Sequence, residues 1–192
     1  MDALSARQGE LADAALRILG RDGIAAVSFR AVAAESGWSL GAVQKAFASK
    51  AALDTAVLQR LRETSVTMPP GEPGRPTLRT WLVELALAVL PVDQARREAT
   101  LRGAAFADRA AFDEAIGRTV AEGDAVIRAL VARLVSRARA EGEVPADLDP
   151  DHVAWAFLAL ITGAATQLLY DRASEAEVRA RVDDAVRGLL SR

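Results

Sequence analysis

The stretch SGWSLGAVQKAFASK, residues 36–50, concentrates side chains that could do chemistry. It holds Lys45 and Lys50, the only lysines of the chain; every other basic side chain except one histidine is an arginine. Gln44 carries a planar amide that can pair with the N6 and N7 edge of an adenine, and Lys45 can reach a guanine or a phosphate. Leu40 and Ala42 offer only apolar contact, for instance to a thymine methyl. Gly41 has no Cβ and lets backbone approach a phosphate or base edge closely. Ser28, Ser39 and Lys50 stand where helices are expected to begin, where free N–H groups and the helix dipole favour an anion. Arg30 adds a cation shortly before this stretch. Polyanion and base-edge recognition is the chemistry this set supports.

Catalysis finds little support. There is no cysteine, so there is no disulfide, thiolate ligand or thiol nucleophile. The one histidine, His152, follows Asp149-Pro150-Asp151 at an expected helix start, where it reads as a surface residue. No Gly-rich phosphate loop accompanies it, and the scattered Asp and Glu have no metal-ligand spacing. Neither a metal nor a cofactor is expected. The net charge of −2 argues against a protein that coats nucleic acid, but leaves room for a local basic face.

The elements that must position these residues read as helices nearly throughout. Leu11, Ala15, Ile18 and Leu19 form the stripe of a first helix that stops at Arg21-Asp22-Gly23. Ser28 caps a short helix over 29–35 that Gly37 ends in a left-handed turn; Ser39 caps the next, over 40–46, and Ser49 one from Lys50 to about Val66. Val43 and Phe47 turn the third helix's apolar face toward Leu16, Leu19, Val32 and Leu53, leaving Leu40, Gln44 and Lys45 outside. Three short helices with tight turns have the layout of a helix-turn-helix. MPPGEPGRP, residues 68–76, is the one internal boundary, separating a domain over 1–67 from one over 77–192. Further helices are expected at 77–90, 92–107, 109–141, 150–171 and 174–191, an all-α chain of about nine helices. Residues 153–170 carry no charge, yet Thr162, Thr166 and Gln167 and the lack of a flanking basic cluster point to a buried or interface helix rather than a membrane span. With no secretory signal visible, the expected location is the cytoplasm.

Residues 11–58 resemble the DNA-binding domain of the TetR family of bacterial transcriptional regulators, matching its pattern at Ala14, Leu19, Gly23, Ser28, Val32, Ala33, Gly37, Ser39, Gly41, Phe47, Lys50 and Leu53. The segments WLVELALAVLPVDQARREATLRGAAFADRAAFDEAI and LALITGAATQLLYDRAS resemble the C-terminal domain of its BetI-like branch. The resemblance implies a dimeric, sequence-specific regulator, a repressor that a small molecule releases from a double-stranded DNA operator. One departure is local: the family has Tyr-x-His-Phe where this chain has Gln44-Lys45-Ala46-Phe47, so the tyrosine and histidine that commonly meet the DNA backbone are missing. The alternative is a helical small-molecule or protein-binding module whose helix-turn-helix no longer binds DNA.

In the C-terminal half, Trp81, Arg102, Phe106, Phe112, Trp155 and Thr162 are the candidates for an effector pocket. Val178, Val182, Val186 and Leu189 form a stripe at helical spacing that exceeds what one small domain is expected to need. With Gly163 and Gln167 on the uncharged helix, they are the expected homodimer interface, paired as the family pairs its last two helices.

Overall fold

The computed structural model describes residues 4–65 and 76–191, apart from the side chains of 62, 64 and 65. Among them are nine α-helices, one 3-10 turn and no strand. The helices are α1 (Ala6–Asp22), α2 (Phe29–Ser36), α3 (Leu40–Ala46), α4 (Lys50–Ser65), α5 (Leu78–Val89), α6 (Gln94–Ala110), α7 (Glu114–Ala140), α8 (Pro150–Leu168) and α9 (Glu175–Leu190). The Pro/Gly-rich stretch expected as a boundary lies, over 68–75, outside the described residues.

The chain forms two compact units. The first holds the chain through Ser65 together with Leu101–Ala121; the second holds the remainder. Where the sequence suggests one cut at 68–76, the first unit thus draws on both sides of it. Phe106 and Ile116 explain the recruitment, since both are fully buried among Leu11, Ile18, Val43, Phe47, Leu53 and Val57. The continuous helix expected over 109–141 is interrupted: α6 runs to Ala110, and α7 starts afresh at Glu114. Asp113 makes the break, its Oδ1 accepting from the N–H of Ala115 at 3.0 Å and of Ile116 at 3.2 Å, which satisfies orphan donors of a new helix start.

In the first unit, caps set the short helices. Ser5 forms a reciprocal box with Gln8 at the start of α1, and Gly23 ends it with φ +80°, its N–H donating to Leu19 O at 3.1 Å. A 3-10 turn, Ile24–Ala26, fills the connection to α2, which the sequence pattern did not signal.

In the second unit, α5 and α9 lie together. Leu78, Trp81, Leu82, Leu85 and Ala86 of α5 are buried with Val178, Val182, Val186 and Leu190 of α9 and Val153, Ala154 and Phe157 of α8. Ion pairs flank this seam: Arg79 holds both carboxylate oxygens of Asp183, and Arg179 reaches Glu84 at 2.6 Å. Two neighbouring arginines at the start of α6 tie down helix C-termini. Arg96 donates to Leu87 O, and Arg97 donates to Leu168 O at 3.2 Å and Leu169 O at 2.5 Å, so orphan carbonyls of α5 and α8 gain charged donors. No helix of the described residues is long and apolar enough to cross a membrane.

Candidate nucleic-acid interface

α2 and α3 meet through the turn Gly37-Trp38-Ser39. Gly37 has φ +76° and ψ 2°, a left-handed conformation in which its N–H donates to Ala33 O at 3.1 Å and stops α2. A Cβ there would be strained by the backbone alone. Two residues later the Ser39 hydroxyl accepts from the N–H of Ala42 at 3.2 Å and starts α3. Ser28 does the same for α2 through Ala31 at 3.2 Å, and Ser49 for α4 through Ala52 at 3.1 Å. These three hydroxyls are thus engaged as acceptors while each keeps its own proton to donate.

The apolar side of α3 anchors it. Val43 is fully buried and Phe47 nearly so, with Leu19, Val32 and Leu53 around them and Leu16 at the margin. The opposite side is bare: Gly41, Gln44 and Lys45 are exposed, as are Ser28, Arg30, Ser39 and Lys50. Leu40, expected outside, is half-buried and packs against the rim of the core, and Ala42 is half-buried too. At Gly41 a Cβ would meet no atom of this chain within 4 Å. Nothing internal requires a glycine there.

Two features escaped the reading from sequence. Trp38 in the turn is fixed from α1: its indole N–H donates to Glu10 at 3.3 Å, and the Arg7 guanidinium lies 4.6 Å from the ring centroid. The other is a buried carboxylate, Asp54, held by Lys50 on one oxygen and by Arg109 of α6 on the other at 2.8 Å. An aspartate four residues after a lysine signals the first pairing, but no local spacing signals a partner 55 residues on. Arg17 and Arg21 of α1 also grip Glu35 of α2, and the Arg17 hydrogen bond holds the Glu35 carboxyl below the usual carboxylate range.

Comparison with known proteins decides the family. Residues 11–57 match the family described as bacterial regulatory proteins, tetR family, and residues 76–191 match the one described as BetI-type transcriptional repressor, C-terminal. The chain belongs to the TetR family. It is a ligand-responsive, DNA-binding transcriptional regulator, and its family works without catalysis. No curated protein matches its sequence significantly. The fold recurs in solved structures at low identity. A TetR-family protein from Rhodococcus sp. is 22% identical with a TM-score of 0.82, over 96% of this chain and 98% of that one. A protein from Saccharomonospora viridis, solved in complex with choline, is 20% identical with a TM-score of 0.73, over 94% and 95%. The multidrug binding protein EbrR, solved with ethidium, is 24% identical with a TM-score of 0.71, over 97% and 99%.

For this TetR-family chain, the expected effector-site residues are divided between the two units. Phe106 is sealed in the core of the first unit; Arg102 and Phe112 belong to that unit but not to its core, and Phe112 is 90% exposed. In the second unit Trp81 is core, while Trp155 and Thr162 face outward, the Thr162 hydroxyl donating to Leu158 O at 2.9 Å. Spacing marks such residues as apolar but cannot say which core they enter. A cavity of about 160 Å³ instead opens between α8 and α9, where Gln167, Asp171 and Arg181 supply polar atoms beside Leu160, Ala164 and Val178. A shallower cleft of about 380 Å³ lies along α5 and α9, between Glu84, Arg179 and Asp183.

Most residues of the expected dimer stripe are engaged in the chain's own packing. Val178, Val182 and Val186 are buried in the second unit's own core against α5, and Leu189 is half-buried there. The stripe already has its partner within the chain. Gly163 and Gln167, by contrast, are exposed on α8.

Proposed function

We propose that the chain is a homodimeric repressor that occupies its operator when ligand-free and leaves it when a small molecule binds the second unit. The observation that carries the DNA-contacting half of this reading is the outward side of α3, where Gly41, Gln44 and Lys45 are bare while Val43 and Phe47 anchor the helix. Gln44 would read an adenine edge, Lys45 a guanine or phosphate, and Ser28, Arg30, Ser39 and Lys50 the DNA backbone. Two such helices in a dimer would enter major grooves about one turn, roughly 34–36 Å, apart. The dimer forms through α8, whose uncovered side presents Trp155, Ala159, Gly163 and Gln167 at four-residue steps, with Trp155 60% exposed. It acts in the cytoplasm, on double-stranded DNA.

For the effector, the cavity between α8 and α9 suits a small amphiphile, since apolar walls end at Asp171, Arg181 and Gln167. Organic cations are the first to try, given the choline and ethidium found in similar proteins. Selection of bound duplexes from a random pool tests the reading. A two-fold symmetric site whose half-sites lie about one turn apart supports it; no enrichment over the input pool would leave the DNA-inactive binding module instead.

A further inference from the structure

Asp54 is the one charged residue buried in the described chain, at 0% exposure. A carboxylate so placed must be neutralised and hydrogen-bonded, and here two cations do it. Lys50, the first residue of α4, meets Oδ1 from one turn earlier; Arg109, near the end of α6, meets Oδ2 at 2.8 Å and lies 3.9 Å from Asp113. Two cations thus meet the one buried carboxylate, while the second carboxylate of the cluster, Asp113, is partly exposed and stands farther off. The two cations differ in freedom. Arg109 comes from another helix and presents a planar fork, while Lys50 is a flexible ammonium with 42% of its side chain in solvent. Lys50 also sits at the N-terminal end of α4, beside the cap formed by Ser49.

We propose that Arg109 is a positioning residue of the DNA interface: by neutralising Asp54 it releases Lys50 to a DNA phosphate. The proposal rests on the reading of Lys50 as a phosphate contact. With Arg109 in place, Lys50 can leave Asp54 without stranding a buried charge. Without it, Lys50 is the only counter-ion for Asp54 and is held there, so the lysine is present but lost to the DNA.

The test is the salt dependence of binding to mixed-sequence duplex DNA. Lys50→Ala should lower the slope of log affinity against log salt by about two per dimer, about one per site. Arg109→Met should lower it by the same amount although Lys50 remains, and adding Lys50→Ala to Arg109→Met should change it no further. Arg109→Lys should keep the wild-type slope, and Arg109→Met with Asp54→Asn should restore it, because no carboxylate then holds Lys50. That last pair also carries the test if Arg109→Met alone fails to fold. If Lys50→Ala still takes its full decrement in the Arg109→Met background, Arg109 is only a structural tie and the proposal falls, with the phosphate reading intact. If Lys50→Ala leaves the wild-type slope unchanged, the phosphate reading falls, and the proposal falls with it.

Discussion

The two units use apolar helix faces in opposite ways. In the first, α3 buries Val43 and Phe47 and leaves an outward side whose residues make no internal contact that would explain them; Gly41 has open space where a Cβ would stand. In the second, α9 looks from sequence like a face in want of a partner, yet Val178, Val182 and Val186 are consumed by α5. The face left without cover belongs to α8, which reads from sequence as the more buried of the two. A site is recognisable when its residues are unexplained by the fold that carries them. An amphipathic stripe alone does not meet that condition, because the stripe is what folding requires of any helix.

The largest effect should come from breaking the second half of this contrast. Val182→Asp would place an unpaired carboxylate among Leu82, Val178 and Val186, costing about 3–5 kcal/mol, and should unfold the second unit rather than give a folded monomer. Ala159→Asp, on the exposed side of α8, should leave the fold within roughly 0.5 kcal/mol and convert the dimer to monomer in sedimentation. A folded Val182→Asp monomer would return the stripe to the interface; an Ala159→Asp dimer would move the interface off α8.

The first half is sharpened by Gly41→Val. Valine is no worse a helix former than glycine, and no atom of the chain lies within 4 Å of the new Cβ, so melting temperature and dimer mass should stay as they are. Binding to the selected duplex should fall about 100-fold or more, about 3 kcal/mol, because the branched side chain holds the backbone off the DNA. Unchanged affinity would show that the outward side of α3 does not approach DNA closely at this point.

Legibility followed the range of the contacts. The caps at Ser28 and Ser39, the turn at Gly37 and the register of Val43 and Phe47 are decided within a few residues, and the structure places them as the sequence suggests. Helix existence was legible for the same reason, since apolar period and capping residues are local. What failed was tertiary. Phe106 and Val182 are apolar at the right spacing for several partners, and only the packed chain says that one joins the first unit's core and the other faces α5. The apolar period carries on across the break at Phe112 and Asp113 and so hides it; the capping residue Asp113 is the local signal of it. Asp54 with Arg109 was out of reach, as an ion pair between distant helices leaves no periodicity.

The smallest effect concerns how each unit is tied on its surface. Glu35 joins α2 to α1 in the first unit, and Asp183 joins α9 to α5 in the second. Both carboxyls are held below their ordinary range, Glu35 chiefly by the Arg17 hydrogen bond and Asp183 chiefly by that of Arg79. A carboxyl whose folded pKa is depressed adds stability above its unfolded pKa, and that contribution is lost as pH falls through the folded value. Glu35→Gln should therefore speed amide exchange in α1 and α2 at neutral pH, and Asp183→Asn should do so in α5 and α9. Each difference from wild type should shrink as pH drops below the ordinary carboxylate range, since the wild-type group is then protonated too. Both pairs are partly exposed to solvent, so the neutral-pH effect should be modest and weaken with salt. A difference that persists unchanged into acid would mean that the substitution acts through packing, and that charge contributes nothing to holding either pair of helices together.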